Sequence, residues 1–421
     1  MNRLTKEYQI FLSCPRAMRI LLCANMIYAF VLPVIEIFVA AYVMRNSHNV
    51  GKVVIYQLAI YAATPAAFLM NGVLLSRISV NLLYSMGMLL SGLAMIVMMS
   101  SPAITPGGIA VSGLMMGLAT GLFWSNRGFL VLSTTNDANR NYYYGIETFF
   151  LTLTSVVVPI GIGLFIAGTA RNGWFNGEVN NAYRIASMGV LILTICASGV
   201  IHMGKFENQP STTFVYFRFH SLWIRMLVLA VLKGLVQGYI VTAPAMLIMM
   251  LVGQEGTLGT IQAVGGIVSS FLLYWIGRVA KPDHRVRVFS IGLTLFLIGS
   301  VVNSILFDAK SVIIFMACLI VAKPILDFAY YPIQFLITEI VSGIEGRNQY
   351  SYILNHECGL FVGRALGCGL FLALATWVSN VAALKYSLPI VAGLQLSSAW
   401  IARRTLSIAT QTQVSFAETA R

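Results

Sequence analysis

Residues 311–337 read SVIIFMACLIVAKPILDFAYYPIQFLI. The run is long enough to cross a bilayer, whose hydrocarbon core of about 30 Å takes roughly 20 helical residues, and its charged side chains are Lys323 and Asp327. Lys323, Asp327, Tyr330 and Gln334 recur at i, i+4, i+7 and i+11, which is one face of a helix. A charge at the centre of a lone membrane helix costs from about 3 to more than 10 kcal/mol. The stripe must therefore face protein or water, and the chain must supply further helices to surround it.

The rest of the chain has the same character. Of its 421 residues 58% are hydrophobic and 10% charged, with a mean hydropathy of +0.81, far from the composition of a soluble globular protein. Windows of span length fall near 19–44, 53–75, 80–100, 107–131, 143–168, 183–201, 222–249, 257–277, 288–307, 311–337, 350–376 and 384–401. Their apolar runs are long and continuous, which predicts helices rather than the short alternating strands of a membrane barrel. Glu36, Arg127, Glu147, Lys233, His356, Glu357 and Arg364 join Lys323 and Asp327 inside these windows.

A net charge of +13 could signal nucleic acid, but its distribution gives another reading. With both termini in the cytoplasm, 17 of the 27 Lys and Arg fall on the inner side, 6 on the outer side and 4 within spans. This is the positive-inside pattern, so the excess is a topology signal and no nucleic-acid partner is expected. The first 18 residues are polar and basic and the first apolar run has full span length, so a cleaved leader is not expected. The six cysteines lie in spans or, for Cys14, on the basic side. With neither outer-loop pairing nor metal-ligand spacing, they are expected to be free thiols.

The longest polar connection, His202 to Ser221, divides the spans six and six. The expected domains are an N-terminal six-helix bundle at 1–203, a cytoplasmic linker at 204–220 and a C-terminal six-helix bundle at 221–421. At an offset of about 206, Arg140, Asn141, Tyr143 and Ile146 are echoed by Arg347, Asn348, Tyr350 and Ile353, and Gly161, Gly163, Leu164 and Phe165 by Gly367, Gly369, Leu370 and Phe371. A duplicated unit of this kind is common among transporters built around a midplane site.

On these features the chain resembles the major facilitator superfamily, in a prokaryotic branch. The resemblance covers essentially the whole length and implies an all-α integral membrane fold of twelve transmembrane helices in two pseudo-symmetric six-helix bundles. Local motifs depart from it. The superfamily's G-x-x-x-D-R loop reads Gly72-Val73-Leu74-Leu75-Ser76-Arg77, with Ser76 at the acidic position. The antiporter motif of the fifth helix survives as Pro159 with the shifted pair Gly161 and Gly163, a lean towards export.

The resemblance implies that the first, fourth, seventh and tenth spans line a central cavity. Those spans carry Asn25, Tyr28 and Glu36 at i, i+3 and i+11, then Arg127, Lys233 with Gln237, and the Lys323 stripe. Lys323 and Asp327 could instead form an ion pair within their own helix. On the eleventh span Glu357 and Arg364, seven apart, share a face, and Gly359, Gly363 and Gly367 form a small-residue strip for helix packing. His356-Glu357 opens like the zinc motif H-E-x-x-H, but Leu360 stands where the second imidazole is needed, so no metal or other cofactor is expected.

Proton coupling needs a group that loads and unloads a proton, and a carboxylate in low dielectric or an imidazole serves. Glu36, His356 and Glu357 are the expected carriers. Asn25, Lys233, Gln237, Lys323, Asp327, Tyr330, Gln334 and Arg364 are the expected cavity residues. Arg127 and Glu147, near the cytoplasmic ends of their spans, form an inner gate or a static brace. The midplane cations favour an anionic or zwitterionic solute. These features give a monomeric, proton-coupled secondary transporter of the bacterial cytoplasmic membrane, leaning to efflux. The alternative is an uncoupled uniporter or a lipid-type flippase. With no nucleotide-binding loop, reactive constellation or sensing domain, a pump, an enzyme and a receptor are not expected.

Overall fold

A computed structural model of the chain describes residues 9–100, 105–135, 137–206, 215–253, 255–279 and 285–419. Every long regular element among them is an α-helix. The first half holds α1 (Arg16–Ala29), a π-helical turn (Val34–Phe38), α2 (Val39–Ser47), α3 (Val50–Leu74), α4 (Val80–Ser100), α5 (Pro106–Thr134), α6 (Asp137–Asn172) and α7 (Val179–His202). The second holds α8 (Ser221–Ile240), α9 (Ala243–Leu251), α10 (Glu255–Val279), α11 (Arg285–Leu306), α12 (Ala309–Glu345), α13 (Gln349–Trp377), α14 (Asn380–Gln395) and α15 (Ser397–Thr419).

Among the described residues ten stretches are long and apolar enough to cross a membrane, the first joining α1 to α2 and the seventh joining α8 to α9. The expected eighth span is α10, with the apolar helix Gly256–Leu272 inside it. The expected twelfth, 384–401, is not one helix: Leu396 divides it between α14 and α15. The helices fall into two compact units, one of residues 1–47, 59–211 and 255–263 and the other of 48–58, 212–254 and 264–421.

Proline and glycine set the local shape of each unit. Pro33 brings no backbone N–H to the first span, and a helix cannot run through it undisturbed. The α1 helix ends at Ala29 and the chain resumes as the π-helical turn that carries Glu36. In α12 a capping box starts the helix: Asp308 Oδ1 accepts from the Ser311 amide at 2.7 Å and Ser311 Oγ accepts from the Asp308 amide at 2.9 Å. That amide bond holds the exposed Asp308 carboxyl below its usual range. Further along, Pro324 has no N–H to offer Ile320, four residues back. The Ser269 hydroxyl of α10 donates to that carbonyl instead, at 3.1 Å.

In the second unit α8 and α13 cross closely. A Cβ added at Gly363 would collide with the Val231 carbonyl, at Gly367 with that of Leu235, and at Gly234 with that of Leu360. At Gly238 it would lie 2.8 Å from the Arg364 oxygen. Gly234 and Gly238 on α8 thus interleave with Gly359, Gly363 and Gly367 on α13, and the two backbones touch. The first unit repeats the device where a Cβ at Gly87 of α4 would lie 2.7 Å from the Phe123 amide of α5 and one at Gly121 of α5 would lie 2.7 Å from the Thr64 oxygen of α3.

Gly363→Val is expected to destabilise the protein by about 3 kcal/mol or more, the upper end of overpacking costs, because backbone rather than a side chain blocks the space. Gly369→Ala on the same helix, where nothing lies within 4 Å, is expected to be neutral or stabilising by a few tenths of a kcal/mol. Thermal unfolding in detergent measures both, and equal melting temperatures would refute the tight crossing.

Candidate functional site

In the first unit the ionisable groups close on one another. Glu147 of α6 is buried at 4% exposure. Its Oε1 accepts from Arg127 Nε at 2.9 Å, from Asn25 Nδ2 at 2.8 Å and from the Tyr143 hydroxyl at 3.2 Å. Its Oε2 takes Arg127 Nη2. The Asn25 amide also donates to the Tyr143 oxygen at 2.8 Å and accepts from the Tyr84 hydroxyl at 2.5 Å. Both amide hydrogens and the oxygen of Asn25 are thereby used. The network ties α1, α4, α5 and α6 together, and it meets the requirement that a buried charge be paired and hydrogen-bonded. Trp124, 40% exposed, has its ring 5.3 Å from the Arg127 guanidinium carbon.

The face expected for Asn25, Tyr28 and Glu36 is not continuous. Asn25 belongs to the Glu147 network, the Tyr28 hydroxyl donates to Ser91 at 3.0 Å, and Glu36 is exposed on the π-helical turn. The spacing i, i+11 assumes an unbroken α-helix, and the break at Pro33 with the wider turn after it removes that register.

In the second unit three helices bring their polar groups together. Lys233 Nζ of α8 donates to Asp327 Oδ1 of α12 at 2.8 Å and lies 4.1 and 3.9 Å from the ring centres of Tyr330 and Tyr331. A carboxylate and two aromatic faces thus hold one ammonium. The expected alternative, an ion pair between Lys323 and Asp327 within α12, is not formed. Lys323 is exposed and makes no ion pair among the described residues. The cation from the neighbouring helix takes the carboxylate because it approaches from the packed side, with the tyrosine rings behind it.

Arg364 Nη1 of α13 donates to Glu357 Oε1 at 2.5 Å, while its Nε and Nη2 donate to Gln237 Oε1 of α8 at 3.2 and 3.0 Å. The shared face inferred from the seven-residue spacing is therefore real, and the glycine crossing brings Gln237 within reach. The buried pair His356 Nε2 and Tyr330 hydroxyl meet at 2.7 Å, linking α13 to α12. Gln334 is buried on α12, and its Oε1 has no hydrogen-bond partner among the described residues.

A third cluster carries none of the expected site residues, and of its members only Arg347 appeared in the sequence reading, as part of the internal repeat. Glu345, at the end of α12, accepts from the His220 amide at 2.6 Å, from Arg347 at 3.1 Å and from the Tyr352 hydroxyl. Arg347 also donates to the Arg218 carbonyl at 2.5 Å and lies 4.3 Å from the Tyr216 ring centre. Gly346, at φ +60°, makes the turn between α12 and α13 possible. A Glu-Gly-Arg triplet at a helix end was the available signal.

With this geometry established, comparison with known proteins gives the fold its place. No family model matches the chain. The uncharacterised protein YqgE of Bacillus subtilis strain 168 is 20% identical over 383 residues, covering 88% of this chain and 85% of that one. Among solved structures, the nucleoside transporter NupG aligns with a TM-score of 0.66 at 11% identity, over 93% of this chain and 99% of that one. A POT family transporter solved in complex with 5-aminolevulinic acid aligns at 0.64 and 12%, over 94% and 97%. The chain therefore has the fold of the major facilitator superfamily, an all-α, multi-pass membrane architecture.

Removing one partner of the Arg127 and Glu147 pair, as in Arg127→Met or Glu147→Gln, is expected to cost about 3–5 kcal/mol by leaving a buried charge uncompensated. The double variant is expected to recover part of that loss. A double-mutant cycle on thermal unfolding measures the coupling, and purely additive losses would refute it.

Proposed function

We propose that the protein is a secondary transporter that moves a small organic solute across the membrane by alternating access, coupled to protons and leaning to efflux by antiport. The fold supports transport, since NupG and the POT proteins that share it are transporters. The observation that carries the reading is the convergence of Lys233, Asp327, His356, Glu357 and Arg364 from three helices inside spans. Structural needs alone do not account for so many ionisable groups in one place, because apolar packing would hold the same helices at lower cost.

Proton coupling is assigned in this reading to the Glu357 and Arg364 pair. Their side chains are 16% and 13% exposed, so water can reach the pair while most of it is desolvated. A proton on Glu357 leaves Arg364 unbalanced and free to turn towards another acceptor. Glu36, exposed on its π-helical turn, and His356 are the other carriers. Gln237, Tyr330 and Gln334 join the charged groups of the second unit as cavity residues, while Asn25, held in the Glu147 network, belongs with Arg127 and Glu147 to the cytoplasmic gate or its brace. In this reading bundles 1–203 and 221–421 are joined by a linker at 204–220, both termini lie in the cytoplasm, and the protein acts as a monomer in a bacterial cytoplasmic membrane.

Comparing metabolites inside and outside cells with and without the protein identifies the solute, and flux into proteoliposomes then tests the coupling. Glu36→Gln and Glu357→Gln are expected to reduce accumulation driven by a pH gradient to the level seen without a gradient, while solute exchange persists. Unimpaired accumulation in both variants would remove these carboxylates as carriers. Flux indifferent to the gradient in the unaltered protein would instead mean an uncoupled uniporter or flippase.

A further inference from the structure

We propose that Lys323 is the anchor for an anionic group on the solute, so that the substrates are small organic monoanions; this rests on the transport reading above. Lys233 is balanced by Asp327 and Arg364 by Glu357. Of the cations in this region of the second unit, Lys323 alone has no ion pair among the described residues. These five side chains therefore sum to one positive charge, and a single negative charge neutralises them.

Position makes that charge informative. Lys323 stands about 20 Å along α12 from Ala309 at 1.5 Å per residue, well inside the span Ala309–Glu345. A lysine stem cannot carry its ammonium from that depth to the headgroups, and an exposed charge there is not left against lipid tails. The stripe of α12 that carries Lys323 is therefore wet. It continues through Asp327, whose side chain is 36% exposed, to the Tyr331 ring, 42% exposed. An anionic head at Lys323 with an apolar or aromatic body lying towards Tyr331 matches this order of surfaces.

The test places a reporter thiol on the stripe as Tyr331→Cys, in a protein whose six native cysteines are replaced and which is reconstituted in vesicles. Its labelling rates by anionic sulfonatoethyl and cationic trimethylammonioethyl methanethiosulfonate are compared. With Lys323 present both reagents are expected to react, and the anionic-to-cationic rate ratio is expected to fall several-fold in Lys323→Gln and to be kept in Lys323→Arg. Benzoate at constant ionic strength is expected to slow labelling in the Lys323 and Arg forms and not in the Gln form. The same ratio and the same benzoate response in all three forms would overturn the anion assignment and leave an aqueous transport path standing. Reaction with membrane-permeant N-ethylmaleimide but with neither charged reagent would place the stripe in lipid, ending both this assignment and the transport reading.

Discussion

Hydrocarbon does not tolerate an unbalanced charge, and the helix arrangement within each unit answers to that constraint. Arg127 and Glu147 hold α5 to α6, and Lys233 and Asp327 hold α8 to α12. Glu357 and Arg364 lie on one helix but recruit Gln237 from another. None of these pairs adds much net stability beyond what apolar packing would give, since desolvation offsets most of the attraction. Their effect is on arrangement: a misplaced helix would strand a charge, so competing packings are strongly disfavoured.

The two units apply the same chemistry with different openness. Around Glu147 two tyrosines, an asparagine and an arginine form a dense hydrogen-bond network, and the carboxylate side chain is only 5% exposed. Around Lys233 the ammonium is enclosed but its carboxylate partner retains 36%. A closed network of the first kind resists rearrangement because every change leaves a polar atom unsatisfied. The second kind leaves one partner within reach of water or solute, which is what exchange of partners requires.

Much of this was legible in the sequence, and what was not has physical causes. Long apolar runs located the spans because a bilayer imposes a length that short windows detect. The glycine strip of α13 was legible from its period of four; its complement, Gly234 and Gly238 on α8, becomes meaningful only once α8 is known to be the neighbour. The partner of Asp327 was not legible for the same reason. Spacing within a helix offered Lys323, whereas which helix lies opposite is a tertiary fact. The register of Glu36 failed because Pro33 broke the helix whose regularity the spacing assumed. The Glu345 cluster escaped notice because its partners include backbone groups of residues 218 and 220, which side-chain patterns do not reveal.

The π-helical turn at Val34–Phe38 differs from ordinary helix by accommodating one residue more than the α-helical path needs. Such a surplus is a property of chain length, so most single replacements within it leave the bulge in place. Deleting one residue there would let the backbone close into regular helix along the same path, so that α2 keeps its faces while the turn itself loses a position. A residue lost from that turn would therefore change which side chains the turn presents, Glu36 among them, rather than the direction of α2.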